Sequence, residues 1–345
     1  MSLVSFWFIV LVVLWTGFLV LEGFDFGVGM LSGVVGRDDQ GRALALQTIG
    51  PLWDGNEVWL IVAGAGTFAA FPGWYATMFS GFYLAMVLLL VALILRGLSF
   101  EFAGRRDGRR WRRAWSAATT YGSLLVPLLI GVALGNLLHG VPIGADQEYA
   151  GNFVDLLNPY SLFCGLTLVL LCLLHGASFL ALRTSGEVRG RALGVGRRIA
   201  LPAAAAVVGF VIWTQALAGD GSPLSLLPGG VAVVAALVAA WQVGRGRDGL
   251  AFAATAVTMA ATVVTLFVAL YPRVMVSTQG AANDLTVTNT ASSPYTLRVM
   301  TVTAAILFPV VLAYQGWTYY VFRRRVGGTD TTVADSTAGP APGAR

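Results

Sequence analysis

The chain of 345 residues is 57% hydrophobic and only 11% charged, with a mean hydropathy of +0.74. Soluble domains carry about 25% charged residues, so the composition excludes a soluble globule and reads as an all-α integral membrane protein. The net charge of +5 comes from arginine without any lysine. These arginines sit in short clusters between apolar runs, which marks a topology signal and excludes a nucleic-acid surface.

A helix needs about 20 apolar residues to cross a bilayer. Nine segments meet that length, near residues 3–34, 46–71, 75–100, 115–138, 159–183, 197–218, 224–243, 249–271 and 297–322. The first has no positively charged start, its earliest arginine being Arg37, and it runs apolar from Leu3 to Leu21. A signal-peptide core is only about 7–15 residues long, so this segment is expected to stay as a helix. Its Gly23, Gly27 and Gly29 suit close helix packing.

Arginine placement tests the count. Arg37 and Arg42 follow the first segment, Arg105, Arg106, Arg109, Arg110, Arg112 and Arg113 the third, and Arg189, Arg191, Arg197 and Arg198 the fifth. Arg245 and Arg247 follow the seventh, and Arg323, Arg324 and Arg325 the ninth, while the intervening loops hold almost none, Arg273 apart. The positive-inside rule then puts the N-terminus outside and the C-terminus in the cytoplasm. Segments 139–158 and 272–296 are polar and long enough to cover the outer surface. The transmembrane domain is expected over 1–326, followed by a disordered cytoplasmic tail over 327–345, which has no apolar period.

Four carboxyls interrupt this pattern. Glu22 and Asp25 lie three apart in LEGFDFGVGML, as do Asp54 and Glu57 in GPLWDGNEVWL, so each pair shares a helix face. Asp25 and Asp54 fall at similar depths from the arginine-rich side. A charged residue at the centre of a membrane helix costs about 2.5–3.5 kcal/mol on insertion scales, so these groups should face protein or a wet cavity. Two readings stay open: a proton conduit from the cytoplasmic side, or helix–helix scaffolding in which the acids pair with Asn56 and an arginine. Trp53 and Trp59, which flank the second pair, are expected to pack. Arg96 and Glu101 are expected to form an ion pair or meet lipid headgroups where the third segment reaches the cytoplasm.

Among the two histidines, His139 ends the fourth segment and His175 lies inside the fifth. Imidazole is a common haem ligand, but a hydrogen-bonded core role is the expectation for His175. Two histidines at different depths do not furnish a multi-haem site. Cys164 and Cys172, eight apart in one apolar run, are expected to be small buried hydrophobes. The sequence offers no metal-site spacing, nucleotide loop or catalytic triad from which to argue.

EGFDFGVGML (22–31), GPLWDGNEVWLIVAGAGTFAAFP (50–72), FSGFYLAMVLLLVALILRGLSFEF (79–102), PLLIGVALGNLLHGVP (127–142) and GNFVDLLNPYSL (151–162) occur in this order. Together they resemble subunit II of the cytochrome bd-type quinol oxidases, over essentially the whole chain outside the tail. The resemblance implies two four-helix bundles plus one peripheral helix, in a bacterial plasma-membrane complex that oxidises quinol and reduces oxygen to water. It implies a haem-bearing subunit I as partner, holding haems b and d, and admits small single-helix accessory subunits. This chain would then bind no haem and hold no catalytic residue; some family members carry a structural quinone or lipid here. The positions matching Asp25 and Asp54 lie on a proton route from the cytoplasm, while Glu22 and Glu57 match the pattern less firmly. A proton-coupled secondary transporter is the alternative from another class, although inverted repeats are not evident.

Overall fold

Apolar side chains surround the first helix on all sides, and a helix of that kind belongs in the interior. The computed structural model describes residues 2–106, 108–219 and 223–327, and it places this helix at the centre of the molecule. In chain order the helices are α1 (Leu3–Val35), α2 (Asp39–Gln47), α3 (Trp53–Ala70), α4 (Pro72–Gly81) and α5 (Tyr83–Phe102). They continue with α6 (Arg109–His139), α7 (Pro159–Arg183), α8 (Gly186–Ala218), α9 (Leu226–Arg245), α10 (Asp248–Leu270) and α11 (Pro294–Val321). The expected tail lies outside the described residues from 328 onward.

Among the described residues, eight of these helices are long and apolar enough to cross a membrane: α1 and α5 to α11. The expected second crossing, 46–71, is instead divided into the end of α2, a turn and the 18-residue α3, whose first turn is polar. At 1.5 Å per residue α3 extends about 27 Å, and it runs antiparallel to α1. Asn56 reaches the level of Leu21, and Gly66 reaches that of Leu11. The expected third segment is also broken, at Phe82 between α4 and α5. Pro72 can start α4 because the first helical position needs no N–H partner. The break at Phe82 is buried against Tyr149 from the loop after α6, with ring centroids 6.4 Å apart.

Two groups of helices result. In the first, α1 and α6 are flanked by α3 and α5; the second contains α7, α8, α9 and α10. Packing of α7 on α1 and α6 joins them, and α11 rests at the edge against α1 and α3. The helical-bundle architecture agrees with what the resemblance implies, with eight rather than nine membrane-length helices among the described residues. The joint requires glycine: a Cβ on Gly27 would overlap the backbone of α7 at Cys172 and lie 2.7 Å from the Gly176 Cα.

Connections at one end carry the arginine clusters. There Asp248 accepts from Arg189 Nε at 2.9 Å and from Arg325 Nη2 at 3.2 Å, while Arg191 donates to the Val35 carbonyl. At the opposite end the two long polar segments interlock. The strand Arg273–Met275 (β1) pairs antiparallel with Leu285–Thr286 (β2), and Val141 N donates to Val276 O at 3.0 Å. The Ser277 hydroxyl adds a bond to the Ile143 carbonyl at 2.9 Å. Both segments thus form one cap.

Candidate functional site

One helical turn of α1 carries Glu22 and Asp25, and neither has any solvent exposure. A lone carboxylate in such surroundings would be strongly destabilising, so a partner is required. For Glu22 the partner is Arg96 of α5, whose Nη1 lies 2.6 Å from Glu22 Oε1, with both side chains fully buried. The guanidinium also lies over the rings of Phe26 and Phe100, at 4.8 Å and 5.2 Å. Arg96 therefore does not pair with Glu101 at the membrane surface, as the sequence suggested. Five residues further along α5, Glu101 points well round the helix and is exposed at a cleft.

Asp25 is met by Asn56 of α3 rather than by Asp54. The Asn56 Nδ2 donates to Asp25 Oδ2 at 2.7 Å and to the Leu21 carbonyl at 3.2 Å. Its Oδ1 accepts from Gln315 Nε2 at 2.8 Å and from the Tyr319 hydroxyl at 3.0 Å, both on α11. Both pairings named by the scaffold reading, an acid with Asn56 and an acid with an arginine, are thus present. Asp25 Oδ1 is buried without a fixed donor, and the Glu22 carboxyl stands within hydrogen-bonding reach of Asp25, so that the two acids can share a proton.

Asp54 and Glu57 face the other way. They line a cleft of about 1090 Å³ between α3 and α5, floored by α6 residues such as Leu129, Ile130 and Ala133. Asp54 is exposed and Glu57 half-buried. Glu57 stands within electrostatic reach of Asp54, Arg96, Glu22 and Asp25. The structure therefore brings Glu22 and Asp25 together with Arg96, keeps Glu57 within their electrostatic reach from the cleft, and sets Asp54 at the rim. Trp53 and Trp59 pack as expected: Trp53 lies 5.0 Å from the Phe100 ring, and Trp59 fills the space that a Cβ on Gly17 would take.

His175 uses both ring nitrogens inside the protein. Nδ1 lies 2.6 Å from the Thr255 hydroxyl and Nε2 lies 3.2 Å from the Val20 carbonyl, while the ring stacks on Phe252 at 4.5 Å. Both ring nitrogens thus face protein groups. The Nδ1 of His139 lies 3.2 Å from the Gly140 carbonyl, and its ring stacks on Tyr160. Cys164 and Cys172 are buried and free.

With this geometry in view, known proteins decide the family. Residues 3–322 match the family model of cytochrome bd terminal oxidase subunit II. The chain belongs to that family. Cytochrome bd ubiquinol oxidase subunit 2 of Bacillus subtilis (strain 168) is 42% identical over 332 residues, spanning 94% of this chain and 97% of the relative. Cytochrome bd-I ubiquinol oxidase subunit 2 of Escherichia coli (strain K12) is 34% identical over 360 residues, spanning 94% and 95%. The solved bd oxidase from Geobacillus thermodenitrificans shares the fold, with a TM-score of 0.73 at 19% identity, covering 93% of this chain and 99% of its own. Subunit II of a cytochrome bd oxidase is a component of an oxidoreductase complex in a bacterial respiratory membrane, and this chain is such a subunit.

The sequence did not reveal the positions of Arg96, Gln315 and Tyr319 in this site. A detectable signal was available for the last two: a glutamine and a tyrosine four residues apart share a face of a helix that is otherwise apolar.

Proposed function

We propose that the chain is the haem-free subunit II of a quinol:oxygen oxidoreductase and contributes a proton-uptake path from the cytoplasm to a haem-bearing subunit I. The observation that carries this reading is the gradation of exposure from Asp54 through Glu57 to Glu22 and Asp25. Asp54 reaches the cleft, Glu57 is half-buried beside it, and Asp25 and Glu22 stand close enough to share a proton. A pure scaffold has no use for a series of acids graded from an open cleft to the core. In this reading Asp54 takes protons from water, Glu57 passes them inward, and Arg96 holds the electrostatic balance of the buried cluster.

The arginine-rich end faces the cytoplasm, with the N-terminus outside and the C-terminal tail inside. Haems b and d belong to subunit I, which agrees with the engaged nitrogens of His175. The apolar cleft suits the tail of a quinone or a phospholipid, with Leu60, Phe68, Met86, Leu90 and Ile94 along its walls. Small single-helix subunits would complete the assembly.

The test is to tag the chain, purify it gently from native membranes, and record reduced-minus-oxidised visible spectra beside those of the chain expressed alone. Haem bands, including a d-type band, in the native preparation and none in the lone chain are expected. Haem bound by the lone chain would overturn the haem-free assignment. Absence of haem from both preparations would overturn the oxidase assignment.

A further inference from the structure

We infer that Asn56 is a positioning residue for Asp25, held in orientation by Gln315 and Tyr319 of the peripheral helix α11, so that Asp25 takes and releases its proton at Oδ1. The inference rests on the proton-path reading and adds to it a defined oxygen and a control point on another helix.

The orientation of the Asn56 amide follows from chemistry. The Leu21 carbonyl, 3.2 Å away, can only accept, so the group facing it must be the NH₂. The same NH₂ then donates to Asp25 Oδ2 at 2.7 Å. Rotating the amide by half a turn would set Oδ1 against that carbonyl and the carboxyl together. The opposite side of the amide, Oδ1, faces two groups able to donate, Gln315 Nε2 at 2.8 Å and the Tyr319 hydroxyl at 3.0 Å. Both N–H bonds and both lone pairs of Asn56 are thereby used, and a fully satisfied buried network has one geometry.

Asp25 is left asymmetric. Its Oδ2 receives an N–H from Asn56, which disfavours a proton on that oxygen, while Oδ1 is buried without a fixed donor and the Glu22 carboxyl stands within hydrogen-bonding reach of Asp25, close enough to share a proton with it. The charged groups around it are Glu22, Glu57 and Arg96. A carboxyl rotated away from this geometry would offer its proton in another direction, and proton transfer is sensitive to such misalignment.

The two α11 residues matter because they are the side chains of that helix that reach the carboxyl cluster, while Arg325 and Val326 just beyond it bond to Asp248 and to the Arg183 carbonyl. Only 6% of its most apolar stretch is buried. Near its start, Trp7 Nε1 donates to the Leu297 carbonyl at 3.1 Å and to the Thr301 hydroxyl at 3.0 Å. Near its other end, Gln315 and Tyr319 supply the grip, one helical turn apart on the same face. Movement of α11 would loosen the Asn56 amide before it disturbed any other part of the carboxyl cluster.

The experiment uses the assembled oxidase carrying Tyr319→Phe, Gln315→Leu or both, with Asp25→Asn as reference. The readouts are the haem spectrum, kcat and KM for quinol, and the infrared carboxyl band of Asp25, identified as the band lost in Asp25→Asn. The expected result is an intact haem spectrum, unchanged KM, and a kcat lowered roughly 2- to 10-fold, the range spanned by the net worth of one hydrogen bond. The Asp25 band should move in both single variants and further in the double. A double variant with wild-type kcat and an unmoved band would overturn the inference while Asp25→Asn, if inactive, left the proton path standing. Full turnover in Asp25→Asn would instead overturn the path itself. Should the double variant fail to assemble, Tyr319→Phe, which removes a single oxygen atom, decides through its band and kcat.

Discussion

The α7–α10 group and the group of α1, α3, α5 and α6 are equally apolar in sequence, yet they treat polar residues differently. In the former, hydroxyls turn back on their own helices: Thr167, Ser178, Thr258, Thr262 and Thr265 each donate to a carbonyl four residues earlier. His175 and Tyr160 are paired with Thr255 and Thr214. A cavity of about 40 Å³ lies where this group meets α1 and α6, and one of about 10 Å³ lies among its own helices. The latter group instead carries Glu22, Asp25, Glu57 and Arg96, beside a cleft of about 1090 Å³. The α7–α10 half keeps its buried charge, Asp248 with Arg189 and Arg325, at the arginine-rich end, whereas the other half carries its charge deep beside an opening. A cluster of three acids with one arginine is a cost in stability, so its placement beside the cleft points to use.

Substitutions can break or sharpen this contrast. The largest effect on stability is expected from Arg96→Leu, which strands Glu22 and its neighbours without a counter-charge. Breaking a buried pair costs about 3–5 kcal/mol, so the assembled complex should melt well below wild type in detergent. Combining it with Glu22→Gln should recover most of the loss; if the single and double variants melt alike, the pair is not what balances the cluster. Gly27→Ala comes next. It drives a methyl into the α7 backbone, and overpacking of this kind costs about 1–3 kcal/mol, to be read as lowered yield and melting temperature. The α7–α10 half should be the least sensitive: His175→Phe removes two neutral hydrogen bonds and keeps the ring stack. Its expected cost is on the order of 1–2 kcal/mol, with the haem spectrum of the complex unchanged. Loss of a haem band in that variant would show that the two halves are not divided as described.

Much of this contrast was legible in the sequence. Apolar runs located the crossing helices, and the paired acids three apart in α1 and α3 flagged the polar half. The position of His175 within a span of small and aliphatic residues fitted its core role. Helix breaks were less legible, because the interruption at Phe82 depends on Tyr149, far along the chain, packing against it. The similar depths of Asp25 and Asp54 placed them at one level without showing whether their faces meet. Depth fixes one coordinate only, and the rotation of α3 presents Asn56 to Asp25 while turning Asp54 to the cleft. Arg96 misled for a related reason: its closeness to a helix end and to Glu101 suggested a surface pair, whereas its partner is remote in sequence and buried. The contribution of α11 was hidden because a nearly all-apolar helix at the edge gives no hint of which neighbour its few polar groups reach.

The central claim is that the carboxyl cluster of this subunit carries protons rather than merely holding helices together. Its most direct measurement is quinol-oxidase turnover of the assembled complex carrying Asp25→Asn, normalised to the absorbance of haem d. An amide preserves size and can still meet Asn56, so the helices should remain packed, but it cannot take up and release a proton. The account predicts a full haem spectrum with turnover reduced at least about tenfold, since a positioned proton-transfer group is worth about 10²–10⁴ in rate. A full haem spectrum with wild-type turnover would contradict it and leave the buried carboxyls as scaffolding.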